Sequence, residues 1–176
     1  MLSPERHYVE SLDKLGFHFG LERIRALMGV LGHPERAYRT IHVVGTNGKT
    51  STTRFLSAIL KEHGFRVGSY ISPHLVSPAE RQLVDDLPAT EDEFAELVRV
   101  VRPAAETVNA GCATDDQVTQ FEFLTAVALE YFRRSGCDVA VIEAGLGGRL
   151  DATSVIHSEV QVLTGVGLEH TQFLGD

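Results

Sequence analysis

Apolar positions along the chain repeat in two rhythms. In "LERIRALMGVLG" (21–32), Leu21, Ile24, Leu27, Met28 and Leu31 recur every three or four residues, which predicts a helix with one buried face. Residues 4–14 read as an earlier helix, and "GFHFG" lies between the two. "TIHVV" (40–44) is short and rich in β-branched residues, so a strand is expected there. "TSTTRFLSAILKEHG" (50–64) follows, with Phe55, Leu56, Ile59 and Leu60 on one side and Gly64 placed as a C-cap. A strand is predicted at 66–71, then a two-proline loop at 72–80 and a short strand at 81–84. Thr90 stands three residues before Glu93, a capping-box start for a helix over 90–101. A polar stretch at 109–117 precedes a helix over 119–136. "DVAVIEAG" (138–145) and "VQVLTGVG" (160–167) are nearly continuous apolar runs, as expected for strands covered on both faces.

Strands alternating with helices predict an α/β fold, a mostly parallel sheet flanked by helices. At 176 residues the chain has the length of one domain, or of one domain and part of another. Its last strand is followed by no closing helix, so the expectation is a domain over 1–176 that is incomplete at its C-terminal end. The net charge of −8 excludes a broad electrostatic footprint for nucleic acid, so any bound phosphate needs a local device. Two cysteines without short metal-type spacing, Cys112 and Cys137, fit a reducing compartment. The charged N-terminus lacks a signal-peptide core, and no apolar run nears the ~20 residues that span a bilayer. A cytoplasmic protein with no membrane partner is therefore expected.

The local phosphate device is "VVGTNGKTSTT" (43–53), between a predicted strand and a predicted helix. The common phosphate loop is G-x-x-x-x-G-K-[ST]; here Gly45 precedes Gly48 by three positions only. Glycines let backbone amides turn onto phosphate oxygens, and a helix N-terminus adds unsatisfied donors and a favourable dipole. Gly45, Thr46, Asn47, Gly48, Lys49, Thr50 and Ser51 are the candidate ATP-binding residues. Lys49 would neutralise phosphate charge, and Thr50 would offer its hydroxyl to Mg²⁺. The bland alternative is a glycine-rich turn with Thr50 or Ser51 near the helix cap.

A second carboxylate-bearing feature points the same way. Glu143 closes a buried apolar strand, where a charge is costly unless paired or on a metal. Ligand sites of open α/β sheets lie at the carboxyl ends of strands. His170 also follows a strand, and a neutral histidine is a common metal ligand. Ser72 precedes Pro73, which by itself reads as the start of a turn. "GLGGRLDATS" (145–154) is a weak match to a dinucleotide fingerprint, and Arg149 with Asp151 could form a structural ion pair there.

Several segments together resemble the Mur ligase superfamily, whose short loop reads G-T-N-G-K-[TSG], and within it the folylpolyglutamate synthase/dihydrofolate synthase family. They are "FHFGLERI", "GTNGKTS", "YISPHLVSPAER", "TQFEFLTAVA", "EAGLGGRLDATS" and "GLEHTQFLG", in that order from about residue 17 to the end. The resemblance implies an ATP-dependent ligase that makes an acyl phosphate and joins L-glutamate to dihydropteroate or a reduced folate. It implies catalytic roles for Lys49, Glu143 and His170, and Mg²⁺ held by Thr50, Ser72, Glu143 and His170. It implies pterin or folate contacts from Phe17, His18, Phe19, Thr119, Leu150, Asp151 and Ala152. The local alternatives are an apolar plug for Phe17–Phe19 and an N-cap for Thr119, with Glu122 completing a capping box.

Two positions depart from the family pattern: Glu169 stands where aspartate is usual and Ser154 where asparagine is usual. The resemblance also places a modified lysine and a glutamate-binding C-terminal domain beyond Asp176, so a chain that binds ATP without turnover is one reading. The rivals are a Mur-type ligase acting on cell-wall precursors, against which "FHFGLER" and "LGGRLDAT" argue, and a non-catalytic nucleotide-binding module.

Overall fold

In the computed structural model, residues 3–15, 20–113 and 116–167 are described. Helix α1 (Pro4–Ser11) starts on Ser3, whose hydroxyl accepts from the Arg6 amide, and passes into a 3₁₀ turn, Leu12–Leu15. Helix α2 (Glu22–Val30) buries Ile24, Leu27 and Met28, the stripe its periodicity predicts. Then come β1 (Arg39–Val44), α3 (Lys49–Glu62), β2 (Val67–Tyr70), β3 (Gln82–Val84) and β4 (Leu87–Pro88). Helices α4 (Glu91–Asn109) and α5 (Gln120–Arg134), then β5 (Val139–Glu143) and β6 (Val160–Leu163), complete the described chain.

The strands form one sheet in the order β4-β3-β2-β5-β1-β6. β2, β5, β1 and β6 run parallel, whereas β3 and β4 are antiparallel additions at one edge. The mostly parallel sheet flanked by helices is thus the fold observed. The parallel strands share one carboxyl-end edge, which collects Val44, Tyr70, Glu143 and Leu163 and the loops that follow them.

Helices α1, α2, α4 and α5 pack on one face over the larger core, centred on Phe94, Phe123, Leu124, Phe132 and Ile142. The Phe132 ring lies flat against β2, where a Cβ on Gly68 would come within 2.6 Å of it. The other face carries α3 over Val43, Val67, Val139 and Val141. Cys137 is buried, which pushes its thiol up to about 12, so it is an inert apolar filler.

Three sequence expectations are corrected. α4 does not stop near 101 but runs through Pro103 to Asn109. The proline forfeits one helical hydrogen bond, yet Val101, Ala104, Ala105 and Val108 keep that face buried. The β3–β4 hairpin was too short to register as two strands; its turn is made by Asp85 and Asp86 at positive φ. Among the described residues the last strand ends at Leu163 rather than 167 and lies at the sheet edge, with Val160 and Leu163 largely exposed.

Candidate functional site

The chain leaves β1 at Val44, turns at Gly45 and enters α3 at Lys49, with Gly48 as N-cap at φ 85°. Gly45 (φ 137°) must be glycine here, because a Cβ would run into Thr164 Oγ1. Gly48 needs its left-handed backbone to aim the next amides outward. No side chain caps α3. The amides of Gly48, Lys49, Thr50 and Ser51 take no acceptor among the described residues, the arrangement that makes a helix start an anion site. Gly48 is the cap and Thr50 and Ser51 follow in the first turn beside it, the placement that the plain-turn alternative also expects.

The open amides face a cleft of about 300 Å³ walled by Thr46–Ser51, Ser72 and Glu143. Lys49 Nζ donates to the Gly45 and Thr46 carbonyls at 2.8 and 3.1 Å, which curls the side chain over the loop. Glu143 is 2% exposed at the end of β5. Thr50 Oγ1 lies 2.8 and 3.0 Å from its two carboxylate oxygens, and the Ser72 amide donates to one of them at 3.3 Å. Burial raises the Glu143 carboxyl above its ordinary 4.5, opposed by the Thr50 hydroxyl, the Ser72 amide and the Lys49 charge. The fold therefore gathers Lys49 and Thr50 with the sequence-distant Ser72 and Glu143 around one cleft.

The Thr50 hydroxyl and the Glu143 carboxylate, with Ser72 lining the same cleft, are oxygen-bearing side chains of the kind a hard divalent cation takes. Among the described residues no three His, Cys, Asp or Glu side chains cluster as a metal-ligand group. His170, the fourth expected ligand, lies outside the described residues, as do Phe17, His18 and Phe19.

A second cavity of about 310 Å³ adjoins the cleft and shares Thr46 and Lys49 with it. Its far wall is the glycine loop 145–148. That loop passes close over α5: a Cβ on Gly145 would lie 2.5 Å from the Phe121 ring. Asp151 pins the loop. Its carboxylate accepts from the Leu146 amide (2.8 Å) and the Thr153 amide (3.0 Å) and hydroxyl (2.5 Å). Thr153 in turn meets His42 Nε2 at 2.8 Å. Asp151 thus serves the backbone of its own loop, not an ion pair with Arg149. Ala152 is buried beside it, while Leu150 remains 46% exposed.

Thr119 is the N-cap of α5, in a full capping box with Glu122. Glu122 Oε2 accepts from the Thr119 amide and hydroxyl at 2.8 and 3.1 Å, and from Arg23 Nε at 3.1 Å. Arg23 also pairs with Asp116. Sequence reasoning missed Arg23, whose charge on an otherwise apolar helical stripe was its signal. It also missed Thr164 and Gly165, signalled only by their place at the end of a strand beside β1.

A six-stranded, mostly parallel sheet with an open, lysine-bearing glycine loop at its carboxyl edge is an α/β architecture of the phosphate-loop class. No protein-family model matches the chain. It is 38% identical over 172 residues to the dihydrofolate synthase/folylpolyglutamate synthase of Bacillus subtilis, covering 97% of this chain and 40% of that protein. It is 41% identical over 168 residues to the folylpolyglutamate synthase of Lacticaseibacillus casei, covering 96% and 39%. The Mycobacterium tuberculosis folylpolyglutamate synthase structure complexed with ADP and AMPPCP superposes with a TM-score of 0.89 at 39% identity, covering 98% of this chain and 38% of that one. Escherichia coli FolC in complex with DHPP and ADP gives 0.87 at 35%, covering 99% and 41%. The chain is a relative of the folylpolyglutamate synthases/dihydrofolate synthases, matching their N-terminal part. It spans about two-fifths of the length of the curated relatives it matches.

Proposed function

We propose that the chain supplies the ATP-binding part of an ATP-dependent amide-forming ligase that adds L-glutamate to dihydropteroate, to folate polyglutamates, or to both. The observation that carries the reading is the open start of α3 facing Glu143, Thr50 and Ser72 across one cleft. The relatives' names and their nucleotide complexes support it.

A carboxylate oxygen of the acid substrate attacks the γ-phosphorus of ATP, and ADP leaves. The glutamate amine then attacks the carbonyl of the acyl phosphate; the amide forms, inorganic phosphate leaves, and the amine gives up a proton. Two anions must meet in the first step, so their repulsion has to be screened and the atoms held in line. The amides of Gly48–Ser51 hold phosphate oxygens and Lys49 swings from the loop carbonyls onto them. Thr50, Ser72 and Glu143, with His170, would hold Mg²⁺, which when bound would supply Lewis-acid screening of the phosphates. The glycine loop pinned by Asp151, with Leu150, Ala152, Thr119 and the Phe17–Phe19 segment, receives the pterin.

Lys49→Ala is expected to weaken Mg-ATP binding to the 176-residue chain by roughly tenfold to a hundredfold, the scale of a lost charge-assisted hydrogen bond. Calorimetric titration checks this, and an unchanged affinity removes the loop from the reading. In a version extended to the length of its relatives, phosphate release should depend on dihydropteroate or a reduced folate together with glutamate. Release that ignores them defeats the ligase assignment while leaving the nucleotide site intact.

A further inference from the structure

The first half of the phosphate loop is already occupied by the protein itself. The Thr46 amide donates to the Gly165 carbonyl at 2.8 Å, and the Asn47 amide donates to the same oxygen at 3.3 Å. Asn47 and Gly165 face each other as an antiparallel bridge. The Thr46 hydroxyl donates to the Gly167 carbonyl and accepts from the Gly167 amide, both at 3.2 Å. One residue further back, the Thr164 amide and hydroxyl both reach the Val44 carbonyl, at 2.9 and 3.2 Å. Thr164 fills the space that a Cβ on Gly45 would need.

From these contacts we propose that Thr46 is a positioning residue and not a phosphate ligand: it clasps the phosphate loop to the 164–167 segment and so sets the register of the amides that bind phosphate. The inference rests on the reading of Gly48–Ser51 as the phosphate-holding amides. It divides the seven-residue motif into two jobs. Gly45–Asn47 is stitched to the strand end beside it, and Gly48–Ser51 is left open to the cleft. A loop fixed in this way has less freedom to lose when a ligand binds, so the clasp strengthens binding without touching the ligand.

Amide hydrogen exchange on the ligand-free 176-residue chain tests the division. The Thr46 and Asn47 amides should exchange at least about tenfold more slowly than those of Gly48, Lys49 and Thr50, as hydrogen-bonded against open amides do. Mg-ADP should then slow Gly48–Ser51 and leave Thr46 and Asn47 unchanged. Thr46→Val, which keeps shape and loses the hydroxyl, should weaken Mg-ADP binding by about threefold to tenfold, the range of one or two lost hydrogen bonds. Thr46→Ser should restore affinity to within about twofold. Fast exchange at Thr46 and Asn47 that only nucleotide slows would make them phosphate ligands and overturn the proposal. So would an unchanged affinity in the valine variant. If the wild-type chain binds no nucleotide while Thr46 and Asn47 stay protected, the clasp stands and the phosphate-loop reading falls.

Discussion

Helices α3 and α5 begin at the same edge of the sheet, on its opposite faces, and they begin in opposite ways. α5 is closed: Thr119 and Glu122 satisfy each other's backbone donors, and Arg23 neutralises the glutamate from α2. α3 is open: its cap is a left-handed glycine, its first turn has no acidic residue, and no side chain caps its first amides. Every helix start leaves donors that need partners. A start whose own sequence supplies the partners is architecture, and a start that withholds them waits for an anion. The contrast marks which of the two starts is left able to take an anion, and Thr119 can cap α5 and still meet the pterin.

Breaking the closed start should cost stability and spare nucleotide affinity. Arg23→Ala leaves Glu122 as an uncompensated buried carboxylate, which typically costs about 3–5 kcal/mol. Urea unfolding should show that loss, with Mg-ADP affinity of the folded fraction unchanged; a loss of affinity without a loss of stability would move Arg23 into the site. Thr119→Ala should cost less, about 1 kcal/mol, the usual worth of a helix cap, read by the same unfolding curves.

The smallest effect sharpens the open side. Glu143 has a raised carboxyl pKa in the fold, so its favourable contribution is complete below the ordinary value of 4.5 and is lost as pH rises through the raised value. Glu143→Gln removes that dependence. The ligand-free variant should gain on the wild type as pH increases from 4 towards 8, measured as the difference in urea midpoints. A difference that shrinks over that interval would contradict the burial that raises the pKa.

Much of the site was legible because its chemistry is written in contiguous residues. The run 45–51 declares a strand, a tight turn and a helix start, whichever partners it later meets. Glu143 was legible for a different reason: a carboxylate ending an apolar strand has few inexpensive explanations. The clasp was not legible, because it pairs backbone groups more than a hundred residues apart and backbone groups carry no sequence signal. Asp151 illustrates the intermediate case. The family resemblance marked it as a pterin contact, and its carboxylate is engaged by the Leu146 amide and by Thr153. Phe17, His18, Phe19 and His170 fall outside the described residues, so those expectations stand as proposals.

The sequence by itself determined the alternation of strands and helices, the capping boxes at Thr90 and Thr119, and the glycine–lysine turn before α3. Each depends on interactions within a few residues, where periodicity and local hydrogen bonds suffice. Only the tertiary structure decided that α4 survives Pro103, that β6 is an exposed edge, and that the phosphate loop is held by Gly165 and Gly167. Those outcomes turn on burial and on which distant backbone groups meet, and both are set when the sheet assembles, because the order of its strands differs from their order in the chain.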